Sequence, residues 1–218
     1  MIKVYGNPLS VYVRKVLLLI EEKGLLCELV PVTPHSDDPA FKLASPFGKI
    51  PAIDDGGFLL SDSSAIAWYL DSRVVAPALI PVEPRARGRV VWFEEISDTI
   101  LAPAANPIVH NRFLKPKLFG THGDENVAIA ASIAVNQILE QIERQISVDN
   151  YLVDTFSLAD LAIGSVFKTL SYTGFEIAED NYPKLHNWYE RLTARAAWKA
   201  VEHREAQFCE ENRIPIWR

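Results

Sequence analysis

The sequence predicts a mixed α/β domain followed by an all-helical domain. Before residue 80, short β-like runs alternate with helical runs, whereas beyond it almost every apolar pattern has helical spacing. Closely spaced prolines separate the two halves and leave no room for a regular element between them. We therefore expect one domain at residues 1–76, a linker at residues 77–84 and a helical domain at residues 85–218.

The first domain is expected to have the element order β-α-β-α-β-β-α. The strands are predicted at residues 2–6, 25–32, 51–54 and 58–60, and the helices at residues 11–23, 39–44 and 62–73. The first helix carries an apolar face at i, i+3, i+4, i+7 spacing, formed by Val13, Val16, Leu17 and Ile20. Gly24 follows this helix where a left-handed residue is favoured. The run Asp54-Asp55-Gly56-Gly57 predicts a tight hairpin.

The second domain is predicted to contain amphipathic helices throughout. They are expected near residues 85–109, 124–146, 157–172, 183–191 and 194–210. The apolar face of the second is assigned to Ile129, Ile133, Ile138, Ile142 and Ile146. Ser157 and Asp160 form a variant of a capping box, so Asp160 is interpreted as a carboxylate that serves folding.

Composition limits the classes of function. The 218 residues carry a net charge of −6, which argues against a nucleic-acid partner. The longest apolar run, Val16 to Ile20, is too short to span a membrane. Two distant cysteines and five histidines without ligand spacing argue against a metal site or a redox dithiol. Free thiols, and a start that enters a strand without a leader, predict a cytoplasmic protein.

Ser10 is the first candidate for chemistry. It ends the loop Tyr5 to Ser10 and stands where the first helix begins, so unpaired N–H groups and the helix dipole favour an anion there. A thiolate is such an anion, and a hydroxyl donor at a helix start lowers the pKa of a thiol from ~8.5. The alternative is a plain N-cap, which this segment on its own favours.

The second candidate is the segment Phe47-Gly48-Lys49-Ile50-Pro51. An X-Pro bond costs only ~0.5–1 kcal/mol in the cis form. A cis Ile50–Pro51 bond would turn the backbone N–H and C=O of Ile50 outward, where an extended peptide can pair with them. Lys49 would then offer its ammonium group to a carboxylate of that peptide. The alternative is an ordinary trans proline that begins a strand, which is far commoner.

The third candidate opens the third helix. Asp62 and Ser63 lie in a cluster of hydroxyls and one carboxylate, Ser61 to Ser64. Ser63 and the helix N-terminus suit a bound carboxylate, while Asp62 suits an ammonium group. A ligand with both an α-amino and an α-carboxyl group would satisfy the pair. N-capping alone explains one serine and makes little use of the others.

Together these segments resemble the glutathione S-transferase family. The arrangement Y-G-x-P-x-S, then S-P-F-G-K-I-P, then D-S-x-A-I is similar to that family, and most similar to its serine-type members, the phi and theta-like classes. The resemblance covers the whole chain. It implies a thioredoxin-like N-terminal domain that binds glutathione, a proline-containing linker and an all-α C-terminal domain. It also implies a homodimer with a role in detoxification.

The resemblance assigns roles residue by residue. Ser10 would donate a hydrogen bond to the glutathione sulfur, and Ile50 before a cis Pro51 would pair with the cysteinyl backbone. Asp62 and Ser63 would hold the γ-glutamyl amine and carboxylate, and Lys49 would lie near the peptide's carboxylates. Asp62 stands where most relatives have Glu, so its shorter arm shifts this contact or routes it through water. No clear basic pair for the glycine carboxylate follows, which leaves Lys42 and His35 as candidates.

Several other residues have competing interpretations. Tyr5 ends the first strand and is assigned to the core or the domain interface, rather than to thiol activation. Four aromatic residues either wall a pocket for the second substrate or, as is commoner for aromatic residues in helices, belong to the core: Trp92, Phe93, Phe113 and Phe167.

The predicted function is transfer of the glutathione sulfur to a small, mostly apolar electrophile. Glutathione would serve as co-substrate without any metal, and the enzyme would contribute thiolate stabilisation and proximity. Ser10 is not expected to act as a nucleophile, because no partner base is visible. The alternatives are peroxide reduction, isomerisation or dehalogenation with glutathione, or a non-catalytic module with the same fold that binds ligands.

Overall fold

The computed structural model describes residues 1–147 and 150–215 of the 218-residue chain. Its strands are β1 (Ile2–Tyr5), β2 (Cys27–Val30), β3 (Ala52–Asp55) and β4 (Phe58–Ser61). They form a four-stranded sheet in the order β2-β1-β3-β4. The β1–β2 pair is parallel, whereas β3 runs antiparallel to both β1 and β4. This is the mixed sheet that the sequence predicts.

The helices also follow the predicted order. They are α1 (Val11–Glu22), α2 (Pro39–Ala44), α3 (Ser63–Arg73), α4 (Pro84–Glu95), α5 (Ala102–Val109), α6 (Glu125–Gln145), α7 (Leu158–Ser171), α8 (Pro183–Thr193) and α9 (Ala196–Glu211). The prediction of a thioredoxin-like N-terminal domain and a helical C-terminal domain is confirmed. Residues 148–149 and 216–218 of the predicted helical domain lie outside the described residues.

Alternation along the strands divides the core between the two faces of the sheet. Val4 and Ile53 pack in the large core with α1 and α3, whereas the neighbouring Tyr5 and Ala52 pack on the other face against Phe41 of α2. Tyr5 is 4% exposed, and its ring centroid lies 6.3 Å from that of Phe41. The assignment of Tyr5 to the core is therefore confirmed.

Helix α1 is buried on all sides rather than on one face. Every residue from 13 to 20 is buried, because α3 packs on one side of the helix and α7 and α9 on others. The prediction of a single apolar face was too narrow. It omitted two buried cations in the middle of this helix, Arg14 and Lys15.

The predicted turns are present. Gly24 follows α1 with φ of +62°, and the N–H of Leu25 reaches back to the carbonyl of Ile20. Between β3 and β4, Gly56 and Gly57 have φ values of +62° and +96°. A two-residue turn with two positive φ values matches the twist of the hairpin strands and favours glycine at both positions.

The predicted helix near residues 85–109 is longer than expected and is not α-helical throughout. It continues to Leu118 and includes two π-helical segments, Ile96–Leu101 and His110–Leu118. Pro103 is the second residue after the first π-helical segment, and Pro116 lies within the second. Proline has no N–H to donate to the preceding turn, so the backbone hydrogen-bond register changes there.

The apolar face of α6 also differs from the prediction. Ile129 and Ile133 are exposed, at 49% and 59%, whereas Val135, Leu139 and Ile142 are buried. The isoleucine spacing was a poor guide here, because other apolar residues of α6 point at α5 and α8. The exposed pair lies on the outer face of this helix.

None of the helices formed by residues 1–147 and 150–215 combines the length and the apolar character that crossing a membrane requires. Within the same residues, no group of three or more His, Cys, Asp or Glu side chains is arranged to hold a metal ion.

Candidate active site

Strand register brings the three candidate segments to one edge of the sheet. Tyr5 pairs with Ala52, and Ala52 pairs with Ser61. The loop to Ser10 leaves β1 at this edge, Pro51 enters β3 there, and Asp62 follows the end of β4. Segments 40 to 50 residues apart in sequence therefore converge where strands end, which is where α/β folds commonly bind ligands.

Ser10 occupies the N-cap position of α1, but its side chain does not cap the helix. The residue is extended, with φ of −71° and ψ of 131°, and its carbonyl accepts the N–H of Arg14 at 2.9 Å. Its hydroxyl makes no hydrogen bond to the described residues. The competing interpretation of Ser10 as a plain cap is thus half right, since the backbone has the cap position while the hydroxyl is left for another acceptor.

The Ile50–Pro51 peptide bond is cis. The alternative of a trans proline is therefore wrong. Before this bond, Ser45 donates its hydroxyl proton to the carbonyl of Lys49 at 2.7 Å, which ties α2 to the strand entry. The Lys49 side chain itself is exposed. Ile50 is half-buried just before β3 and packs against the small core that includes Tyr5 and Phe41.

Asp62 caps α3 and does so with unusual backbone geometry. Its φ is +82°, a region that few residues other than glycine adopt and that occurs most often at functional sites. Its Oδ1 accepts the N–H groups of Ser64 at 3.0 Å and Ala65 at 3.1 Å. The capping interpretation thus accounts for one oxygen of Asp62, while Oδ2 makes no hydrogen bond within the described residues.

Ser63 is the first residue of α3 and is 5% exposed. Its hydroxyl makes no hydrogen bond within the part of the chain that the structure describes, unlike Ser64, which donates to Glu94. A nearly buried hydroxyl beside the free N–H groups of a helix start is a suitable partner for a carboxylate.

Behind α3 lies a charged cluster that the sequence analysis missed. Lys15 is buried and donates to Glu94 at 2.6 Å and to Asp98 at 2.7 Å. Burial raises the pKa of Asp98 above its ordinary value, while the Lys15 cation opposes that shift. Burial also raises the pKa of Tyr12, and the charges of Asp98 and Asp62 add to the rise. The missed signal was a lysine in the middle of an apolar helix.

Lys42 and His35, the two candidates for binding the glycine carboxylate of glutathione, have different surroundings. Lys42 donates to Asp37 at 2.6 Å across an exposed surface, and this contact lowers the pKa of Asp37. His35 has φ of +60°, and its N–H donates to the carbonyl of Gly48 at 2.8 Å. A Cβ at Gly48 would lie 2.4 Å from Nδ1 of His35, so only glycine fits there. His35 thus lies against the segment that leads to Lys49.

The aromatic residues considered for a second-substrate pocket belong mostly to the core. Phe93, Phe113 and Phe167 are 0%, 1% and 2% exposed, so they line no open cleft. Trp92 is 42% exposed, and its ring packs edge-on against Phe93 with 4.9 Å between centroids. The pocket interpretation is therefore wrong for the three phenylalanines, and the core interpretation is right.

Comparisons with known proteins identify the family of this chain. Residues 4–78 match the family described as "Glutathione S-transferase, N-terminal domain", and residues 96–196 match "Glutathione S-transferase, C-terminal domain". The chain is 30% identical to "Glutathione S-transferase F7" of Arabidopsis thaliana over 207 residues, covering 92% of this chain and 98% of that protein. It is 32% identical to "Glutathione S-transferase 3" of Zea mays over 209 residues, covering 91% of each.

Solved structures give the same result. Glutathione transferase F7 from Populus trichocarpa superposes with a TM-score of 0.82 at 29% identity, covering 94% of this chain and 99% of that one. A structure of glutathione S-transferase III in its apo form superposes with a TM-score of 0.82 at 31% identity, covering 93% and 95%. With both halves of the chain matched, and with a free serine hydroxyl, a cis proline and a helix start at one sheet edge, this chain belongs to the glutathione S-transferase family.

Proposed function

We propose that this chain is a transferase that conjugates the thiolate of glutathione to small, mostly apolar electrophiles. The observation that carries the proposal is the hydroxyl of Ser10. It stands at the start of α1 without a hydrogen-bond partner among the described residues, on the same sheet edge as the cis Ile50–Pro51 bond and Ser63. A peptide held at the Ile50–Pro51 bond and at Ser63 would present its sulfur to the hydroxyl of Ser10.

Ser10 acts on the thiol through electrostatics. A free thiol with a pKa near ~8.5 is mostly protonated at neutral pH, and a hydroxyl donor at a helix N-terminus favours the thiolate. Each pKa unit of lowering corresponds to about 1.4 kcal/mol of preferential stabilisation of the anion. Ser10 is a hydrogen-bond donor here and forms no covalent intermediate, because within the described residues no base accepts its proton.

The remaining contacts distribute the peptide along the sheet edge. The backbone of Ile50 pairs with the cysteinyl unit, and Ser63 with the N–H groups of α3 binds the γ-glutamyl carboxylate. The free Oδ2 of Asp62 accepts the γ-glutamyl ammonium while Oδ1 caps the helix. Lys49 lies near the peptide's carboxylates, and His35 and Lys42 remain the candidates for the glycine end.

The proposal also covers the domain organisation, the location and the oligomeric state of the protein. We propose a glutathione-binding domain at residues 1–76, a linker at residues 77–84, a helical domain at residues 85–218, and a cytoplasmic homodimer. Support for these limits comes from the matched segments: residues 4–78 end two residues into the proposed linker, and residues 96–196 lie within the proposed helical domain.

The test compares wild type with Ser10→Ala and Ser10→Thr, using 1-chloro-2,4-dinitrobenzene as electrophile. Ser10→Ala is expected to lower kcat/KM by about 10- to 100-fold and to raise the pKa of the bound thiol, since the hydrogen bond to the thiolate is lost. Ser10→Thr keeps the hydroxyl and should retain most of the activity. The thiolate's ultraviolet absorbance as a function of pH gives the thiol pKa directly.

A matched control is Ser132→Ala, since the hydroxyl of Ser132 bonds only within α6, to the carbonyl of Ala128. Unchanged turnover and thiol pKa in Ser10→Ala would sink the proposed role. Retention on glutathione resin without conjugation of any electrophile would instead favour a non-catalytic binding module.

A further inference from the structure

Arg14 is a fully buried cation that the proposed chemistry does not use. It lies one turn after Ser10 in α1 and is 1% exposed. Its Nε donates to Oε1 of Glu205 at 2.5 Å, and its Nη1 donates to the carbonyl of Ser165 at 2.8 Å and to Thr169 at 2.6 Å. Tyr172 donates to the other oxygen of Glu205. One side chain thus joins the thioredoxin-like domain to both α7 and α9.

Stability alone is a poor explanation for this pair. Removing two charges from water is costly, and well-packed apolar residues of similar volume commonly replace a buried ion pair without loss. What an ion pair with several fixed hydrogen bonds supplies is a unique relative position of the elements it joins. Here the fixed element is the first half of α1, whose Arg14 N–H also bonds to the carbonyl of Ser10.

Beyond Glu205, α9 lines a cavity. One turn beyond Glu205 in α9, Phe208 lines a cavity of about 310 Å³, together with Asn212, the residue that follows the end of α9. The same cavity is lined by Asn7, from the loop that ends at Ser10, and by residues 31–33 and 36 after β2. Since β1 and β2 are parallel, both of these loops leave the sheet at the edge where the glutathione segments converge.

We propose that Arg14 and Glu205 are a positioning pair, which sets the distance between the loop of Ser10 and α9 and thereby the fit of aromatic electrophiles in this cavity. The inference rests on the proposed function. The pair touches neither substrate. The pair acts through Phe208 and Asn212 and through the Ser10 loop. Conjugation of an electrophile that is too small to reach α9 therefore does not depend on the pair.

The chain offers a matched control in a second ion pair. Arg195, which precedes α9, bonds to Glu22, the last residue of α1, at 2.7 and 2.8 Å. This pair joins the same two helices at the ends remote from Ser10 and from Phe208. A role in holding the domains together is common to both pairs, whereas, of these two, the pair nearer to the Ser10 loop and to Phe208 is Arg14 with Glu205.

The experiment measures kcat/KM with 1-chloro-2,4-dinitrobenzene and with iodomethane. The variant Arg14→Met/Glu205→Gln leaves no buried charge unpaired and keeps an acceptor for Tyr172. It should lower kcat/KM about tenfold for the aryl electrophile, through a higher KM, because misplacement of a substrate wall by a fraction of an ångström has effects of that order. The value for iodomethane and the KM for glutathione should change less than about twofold.

The control Glu22→Gln/Arg195→Met should leave the ratio of the two electrophiles unchanged. Glu205→Asp, which shortens the arm but keeps both charges, carries the same test if the double variant does not fold. Equal losses for both electrophiles, no loss, or the same ratio change in the control would overturn the inference. Ser10→Ala run in parallel separates the two proposals, because unchanged conjugation in that variant overturns the proposed function itself.

Discussion

At the scale of single residues, the site depends on side chains whose local role is incomplete. Ser10 holds a cap position without making the capping hydrogen bond, and Asp62 caps α3 with one oxygen while the other has no partner within the described residues. A polar group left without a hydrogen bond at a helix start favours a ligand role, because most such groups in proteins are satisfied. The positive φ of Asp62 points the same way, because such geometry persists where function requires it.

Asp62→Asn separates the two roles of Asp62. Asparagine caps helices as well as aspartate does and tolerates positive φ, so the midpoint of thermal unfolding should change little. The charge that holds the γ-glutamyl ammonium is lost, so the Kd for glutathione should rise about tenfold. Isothermal titration and a thermal melt measure the two quantities on the same sample.

Asp38→Asn is the control for this variant, since Asp38 caps α2 in the same way through the N–H of Phe41. Should Asp62→Asn bind glutathione as tightly as wild type, Asp62 is a cap and nothing more.

At the scale of elements, α7 depends on one buried carboxylate. Asp160 is 0% exposed and accepts four hydrogen bonds, from the N–H of Leu152, the N–H and hydroxyl of Ser157, and the indole of Trp188. It thereby fixes the start of α7 to the preceding turn and to α8. The assignment of Asp160 to folding follows from these contacts.

Asp160→Asn is expected to lower the free energy of unfolding by about 3 kcal/mol near pH 4, because its NH₂ group brings two more donors to a site that four donors already line. The loss depends on pH. Burial raises the pKa of Asp160 to about 6 from its ordinary value of 3.8. Between these values the folded protein keeps a proton that the unfolded chain has released, so the Asp160 contribution falls as pH rises.

Urea unfolding of wild type and Asp160→Asn from pH 4 to pH 7 measures this dependence, since other titrating groups cancel in the difference. The difference should be largest near pH 4 and decrease by up to about 3 kcal/mol towards pH 7. A difference that grows with pH would contradict the raised pKa.

At the scale of the whole molecule, large apolar side chains are exposed in the segment that leads to the site. Leu43 and Phe47 are 71% and 80% exposed, and Ile129 and Ile133 are exposed on the outer face of α6. Large apolar side chains that stay exposed are common on surfaces that another protein covers. In the homodimer proposed above, a second copy of the chain would cover them.

Phe47→Ser is therefore expected to shift wild-type dimer towards monomer at micromolar concentration, because an exposed phenylalanine that anchors an interface contributes on the order of 2 kcal/mol or more. Sedimentation velocity gives the mass of each species. Phe119→Ser, at a side chain that is 60% exposed, is the matched control. A monomeric wild type, or equal dissociation in both variants, would contradict the homodimer.

Most of the fold was predictable because its signals are local. Strand and helix periods, Gly24 after α1 and the glycine pair of the hairpin depend on neighbouring residues, and the structure has each of them within a few positions. The π-helical segments and the exposed Ile129 and Ile133 were not predicted. The π-helical segments arise from the change of backbone hydrogen-bond register around prolines, and the exposure of the two isoleucines arises from the way α6 packs on other helices. The spacing of apolar residues indicates neither.

The sequence by itself determined the order of elements and the family, and it predicted the three segments of the proposed site. Only the tertiary structure decided that the hydroxyl of Ser10 makes no capping hydrogen bond, and that Asp62 caps α3 with Oδ1 while Oδ2 has no partner within the described residues. It also decided that Arg14 and Lys15, which look like interruptions of an apolar helix, are buried against partners more than 75 residues away. The physical reason is that helix caps and the spacing of apolar residues depend on neighbours in sequence. The partner of a buried charge depends instead on how helices distant in sequence pack together.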